Sequence, residues 1–196
     1  MGKERLLAFS DGVLAIIITI MVLELKVPHG SDWAILGKLL PVFLSYVMSF
    51  VYVGIYWNNH HHLMHAAGGV NGPILWANLH LLFWLSLLPF ASGWLGENHF
   101  ARQPTALYGF ILLACALAYY VLQLTIMKSQ GKDGTLARAL GTDFKGKISP
   151  VLYIVGVLIS FFAPVVSNLI YAGVALMWLI PDSRIEKHAQ HIEHRH

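Results

Sequence analysis

The sequence predicts an all-α integral membrane protein with six transmembrane helices, and three observations carry that expectation. Of its 196 residues, 57% are hydrophobic and only 12% are charged, where a soluble domain carries about 25% charged residues. Mean hydropathy is +0.61. The apolar residues are gathered into long runs free of Asp, Glu, Lys and Arg. Such a chain cannot cover a water-facing surface with charge, so a soluble enzyme and a disordered chain fit poorly. The net charge of +3 does not argue for a nucleic-acid partner, because the basic residues fall between apolar runs rather than in one patch. One cysteine, Cys115, excludes an intrachain disulfide and a thiolate metal cluster within the chain.

The first helix is expected over about 5–27. Asp11 and Glu24 bracket only Gly12 to Leu23, but Leu6 to Phe9, Leu25 and Val27 extend the segment toward the ~20 residues that cross a ~30 Å core. Its basic start (Lys3, Arg5) resembles a secretory signal, yet Val22-Leu23-Glu24-Leu25-Lys26 offers no small-x-small cleavage site. Position 6 is Leu where myristoylation wants Ser or Thr, so the segment reads as a mature helix. Uncharged runs of 21 residues (Leu39–Asn59), 25 (Gly72–Gly96) and 25 (Gln103–Met127) place helices at about 35–60, 73–95 and 104–127. The 34-residue run Ile148–Pro181 is too long for one helix and carries Pro164 near its middle. Proline breaks helices, so two helices are expected, at about 148–163 and 165–181. Residues 182–196 form a His-rich tail, and Lys128–Lys147 is the longest polar connection.

Lys and Arg counting sets the orientation. With the N-terminus inside, ten basic residues lie inside and three (Lys26, Lys38, Arg102) outside, a positive-inside bias. Six spans then put both termini in the cytoplasm of a multi-pass cell-membrane protein. Trp76 and Trp94 lie 18 residues apart, about 27 Å along a helix, so one ring falls at each interface.

Polar groups within a span are where chemistry is sought. At about 100° per residue, Gly12, Ile16, Thr19, Ile20 and Leu23 share one arc of the first helix, and Ser10 and Asp11 lie well off it. Two readings compete. In one, the aliphatic stripe is core or faces lipid, and Thr19 bonds back to its own helix. In the other, several copies of the stripe line a pore, isoleucine and leucine rings close it by dewetting, and Thr19 hydroxyls replace part of an ion's water. The stripe alone does not decide.

The segment Arg5-Leu-Leu-Ala-Phe9-Ser10-Asp11-Gly12-Val13 resembles the R-x-x-x-F-S-D opening of the first helix in the family of the lysosomal potassium channel called transmembrane protein 175 and its prokaryotic homologues. The likeness continues through Ile18-Thr19-Ile20 and Leu23-Glu24-Leu25-Lys26-Val27-Pro28. It recurs in Tyr56-Trp57-Asn58-Asn59-His60-His61, in Asn78-Leu79-His80-Leu81-Leu82-Phe83 and in Ser86-Leu87-Leu88-Pro89-Phe90. It covers the first three helices; the rest follows by hydropathy only. The resemblance implies a potassium-selective channel, a homotetramer in this single-repeat form, with first helices around the pore. It implies a constriction at Ile16, further apolar layers at Ile20 and Leu23, and a selectivity ring at Thr19. The helical wheel puts these four on one face. No T-V-G-Y-G filter occurs; Leu107-Tyr108-Gly109-Phe110 is the nearest string.

Arg5, Phe9, Ser10 and Asp11 are expected to hold the first helix in place. The resemblance implies hydrogen bonds from this segment to polar residues of the second and third helices, with His60 or His61, Trp76 and Asn78 as candidates. Glu24 is either a cation-attracting mouth residue or a simple interfacial carboxylate. His60, His61, His62 and His65 form a cluster, and His61 and His65 have the i, i+4 spacing of a metal pair. No cysteine supports them, so a plain helix end is the expected reading. No cofactor is expected, no metal beyond permeating K⁺, and no partners but K⁺, lipid and further copies of the chain. His80 lacks a second mid-span histidine for haem, and no enzyme motif occurs. The expectation is a passive K⁺ channel; the rival from another class is a proton- or cation-coupled secondary transporter, for which a mid-span ionisable relay is wanted.

Overall fold

Lys3–Leu23 forms the first helix, α1. A computed structural model of the chain describes residues 2–130 and 144–179. The helix stops at Glu24, short of the expected extension to 27, with Pro28 four residues beyond its cap. A five-residue turn of helix, α2 (Trp33–Gly37), follows, with the Asp32 carboxylate accepting from the Ala34 N–H. The second long helix, α3 (Leu40–Ala66), starts later than position 35 because Pro41 fits only the first turn, and it runs past position 60. α4 (Gly72–Ser86) is capped by the Asn71 side chain, which accepts from the Ile74 N–H. It gives way at Leu87 to α5 (Leu88–Glu97), whose Pro89 cannot continue the upstream ladder. α6 (Arg102–Gln130), α7 (Phe144–Ser160) and α8 (Pro164–Leu179) complete the described chain, with Pro164 opening α8. The tail at 182–196 and most of the polar connection lie outside the described residues.

Among the described residues, four segments are long and apolar enough to cross a membrane: α1, α3, the bent α4–α5 unit and α6. α8 is apolar but shorter, at 16 residues, and α7 has 17. Large apolar side chains on the outside of the bundle, among them Phe43, Phe110, Val151, Leu158 and Phe162, stand exposed, as lipid permits and water does not.

α1 packs across α3, α4 and α5, and α6 packs against α4, α5, α7 and α8. Small residues let these helices close up. A methyl group on Gly96 of α5 would meet the Cα of Val42 on α3 at 2.6 Å. On the far side of the bundle the Tyr171 ring of α8 fills the space that a Cβ at Gly109 (α6) or Gly156 (α7) would need. The Tyr52 hydroxyl donates to the Tyr171 carbonyl at 2.6 Å, and the Ser167 hydroxyl donates to the Gly156 carbonyl at 2.7 Å. With no water in a bilayer core, such internal bonds are the available way to satisfy buried polar groups.

Candidate functional site: the uncovered face of the first helix

α1 has two unlike sides. Leu6, Ser10, Leu14, Ile17 and Met21 recur at helical spacing and are all buried against the bundle. On the opposite side Ile16 is 58% exposed, Ile20 43% and Leu23 78%. Gly12, Ala15 and Thr19 join them in the open. The four residues on the expected face thus lie together on α1, and nothing in the protomer covers them. The Thr19 hydroxyl donates to the Ile16 carbonyl at 2.9 Å, so its oxygen lone pairs remain free to accept.

Polar contacts fix the helix from its covered side. At the N-terminal end the Lys3 ammonium donates to the carbonyls of His65 (3.0 Å) and Ala67 (2.9 Å) at the end of α3. A cation there meets the negative end of the α3 dipole. Two turns further along α1, Ser10, Asn78 and His60 are buried and linked in a chain. The Asn78 amide N–H donates to Ser10 Oγ (3.0 Å), and Ser10 donates onward to the Leu6 carbonyl (2.9 Å). The Asn78 carbonyl oxygen can only accept, so His60 Nε2 carries the proton in their 2.6 Å bond. That tautomer leaves His60 Nδ1 a bare buried acceptor without a partner among the described residues. At the other end Lys26 and Glu97 pair at 2.6 Å, and the Glu97 hydrogen bond and charge raise the Lys26 pKa. The pair is exposed, so it orients the end of α1 more than it stabilises the fold.

Asp11 is exposed and accepts from the indole N–H of Trp57 at 3.0 Å. Trp57 was not among the sequence candidates; Trp76, which was, is 75% exposed and makes no hydrogen bond among the described residues. Arg5 is exposed and is not paired with Asp11. Phe9 is half-exposed, and at −700° from Ile16 it shares the open face rather than packing inward. His61 stands outside the Ser10 chain, with its ring 4.3 Å from that of His65. Among the described residues no three His, Cys, Asp or Glu side chains gather as a metal site. His80 accepts from Trp84 of its own helix at 3.0 Å. The anchoring roles of Lys3 and Trp57 escaped the sequence reading, although Trp57 lies in the Tyr56–His61 string; a lysine at a helix start and a tryptophan near an interface are too common to point at partners.

Fold and site together define an all-α, membrane-embedded protein whose first helix is held by one side and bare on the other. The chain belongs to the TMEM175 family. The family described as "Endosomal/lysosomal potassium channel TMEM175" matches residues 5–89. A protein of Chryseobacterium sp. (strain P1-3) named a potassium channel is 58% identical over 187 residues, covering 95% of this chain and 97% of that protein. The rat protein named "Endosomal/lysosomal proton channel TMEM175" is 35% identical over 133 residues, 61% of this chain and 26% of the longer protein. Among solved structures, the crystal structure of a lysosomal potassium-selective channel TMEM175 homolog from Chamaesiphon minutus superposes with a TM-score of 0.78. It is 28% identical and covers 91% of this chain and 96% of its own.

Proposed function

We propose that the protein is a potassium-selective channel of the cell membrane that passes K⁺ down its gradient, with no covalent chemistry. The observation that carries this reading is the bare aliphatic face of α1, with Thr19 set into it, on a helix anchored from its covered side. The bacterial relative is named for potassium conduction and is similar over nearly its whole length.

One helix cannot enclose a pore, so the face requires further copies. Helix axes pack about 8–10 Å apart, and a helix with its side chains has a radius of about 5–6 Å. Three axes at that spacing lie about 5–6 Å from their common centre and leave no lumen. Six lie about 8–10 Å out and leave a wide one. Four lie about 6–7 Å out, where one ring of isoleucines nearly meets. A homotetramer therefore suits a narrow apolar constriction at Ile16, with Ile20 and Leu23 as further layers and Thr19 oxygens offered to the ion.

α7 and α8 serve as the fifth and sixth spans. At about 24–26 Å they are a few Å short of the ~30 Å core, a mismatch met by local thinning. Both termini then lie in the cytoplasm, on the side richer in Lys and Arg. Between Gly12 and Leu23 the helix has no titratable side chain, so nothing on the proposed pore wall there acts as the relay a proton-coupled transporter wants.

The test is reconstitution of the full chain into liposomes loaded with K⁺, with Na⁺ outside and a proton-sensitive dye. The expected result is passive K⁺ efflux that needs no counter-substrate and exceeds Na⁺ flux. Flux that requires a coupled ion or solute overturns the reading in favour of the transporter.

A further inference from the structure

On the side of the bundle away from α1, a pocket lies between α3, α6, α7 and α8, walled by Tyr52, Tyr56, Asn59, Gln123, Tyr153 and Trp178. None of the described residues lining it is charged. Most of its polar groups are committed. Tyr52 donates to the Tyr171 carbonyl (2.6 Å), Tyr153 reaches the Tyr52 hydroxyl (3.4 Å), and the Trp178 indole donates to Ser149 Oγ (2.9 Å). Two groups differ. The Tyr56 hydroxyl and the Gln123 amide make no hydrogen bond among the described residues; their residues are only 9% and 5% exposed, yet neither group is among the fully enclosed polar atoms, so each keeps some accessible surface where it lines the pocket. A buried amide or hydroxyl left without a partner is costly, the more so in a membrane where lipid offers none. Both belong to residues that line the pocket, so what satisfies them is what occupies it.

We propose that this pocket is a binding site for a small uncharged amphiphile, one ring bearing one hydroxyl, of about the size of phenol. The dimensions choose the size. Room for the centres of water molecules is about 40 Å³, and the empty space counted out to the open mouth is about 520 Å³. Space of that order holds a single ring, and the described lining offers no charged side chain to a lipid headgroup. The walls choose the chemistry. Aromatic faces and Ile55 and Ala116 receive an apolar body, and a hydroxyl both donates to the Gln123 carbonyl oxygen and accepts from Tyr56. A charged ligand would go unpaired there. Tyr120, half-exposed at the rim, places the mouth on the outer surface of the bundle. The site is separate from the α1 face, so the proposal does not depend on ion conduction.

The test uses the full chain in lipid nanodiscs and 4-fluorophenol as probe, followed by fluorine NMR. Wild type is expected to give saturable line broadening that unlabelled phenol reverses. Gln123→Leu, which removes an amide with no hydrogen-bond partner among the described residues and so should not harm folding, is expected to weaken binding about tenfold, the weight of one hydrogen bond. Ala116→Phe fills the pocket and is expected to abolish saturable binding. Leu117→Ala, at an exposed α6 position, is expected to leave it unchanged. Unsaturable partition into the bilayer in wild type means the pocket holds water only, and overturns the proposal. Saturable binding indifferent to Gln123→Leu overturns it as well, and that comparison stands even if Ala116→Phe fails to assemble.

Discussion

Ile16 and Thr19 sit three residues apart on the open face of α1 and are expected to fail differently. An isoleucine ring closes a pore because water leaves a narrow apolar lumen. Ile16→Asn places amides where the methyl groups met and lets water in. Current through reconstituted channels is expected to rise by about tenfold, the effect of about 1.4 kcal/mol on the barrier. Equal or lower current at normal expression removes Ile16 from that role. Thr19 offers an oxygen whose proton is already spent on the Ile16 carbonyl. Thr19→Val keeps the shape and deletes the oxygen, so the reversal potential with K⁺ inside and Na⁺ outside is expected to move toward zero. An unchanged reversal potential assigns selectivity elsewhere. At this scale the sequence was legible where periodicity acts. The wheel groups Ile16, Thr19, Ile20 and Leu23 on one arc, and all four are uncovered. It was not legible where partners come from another helix. Which indole reaches Asp11 depends on where α3 crosses α1, and that is set by packing between the helices rather than by spacing within either segment.

The positioning of α1 as an element rests on the chain from Asn78 to Ser10 and from His60 to Asn78. Asn78→Leu leaves the His60 Nε2–H without an acceptor and Ser10 without a donor, each buried. Loss of a buried partner costs about 1–3 kcal/mol, so the unfolding midpoint in detergent is expected to drop. His60→Leu removes one end of the same bond. Since both changes break one interaction, the double variant is expected to be less destabilised than the sum, with a coupling of about 0.6–1.7 kcal/mol. Strict additivity would mean the two residues do not share a bond that matters to stability. Helix positions were readable from uncharged runs because the bilayer forces length. Their ends were less so. α1 ends before Leu25 and Val27, apolar though they are, and α3 begins only where Pro41 can sit in a first turn. Hydropathy reports what a segment dissolves in, while caps and prolines decide where its hydrogen-bond ladder stops.

For the whole molecule, the issue is what covers the bare side of α1. Lipid would cover it in a monomer; three further copies would cover it in the proposed assembly. The single native cysteine makes the distinction measurable, because Cys115 is buried and silent to a bulky thiol reagent. Leu23→Cys puts a thiol on the most exposed aliphatic position of the α1 stripe, and Leu117→Cys puts one on the exposed side of α6. In an assembly around the α1 axis, Leu23 thiols from neighbouring copies come close, and a short bis-maleimide is expected to convert most of the protein to covalent dimers, the limit for one reactive thiol per chain, on a denaturing gel. Leu117 thiols, directed outward, are expected to remain monomeric under the same treatment. The reverse pattern would place α6 between copies and α1 in lipid, and would remove the pore from α1. The same pair of variants also separates a channel from a bundle that merely aggregates. Random contact links both positions in proportion to exposure, whereas a closed ring links Leu23 alone.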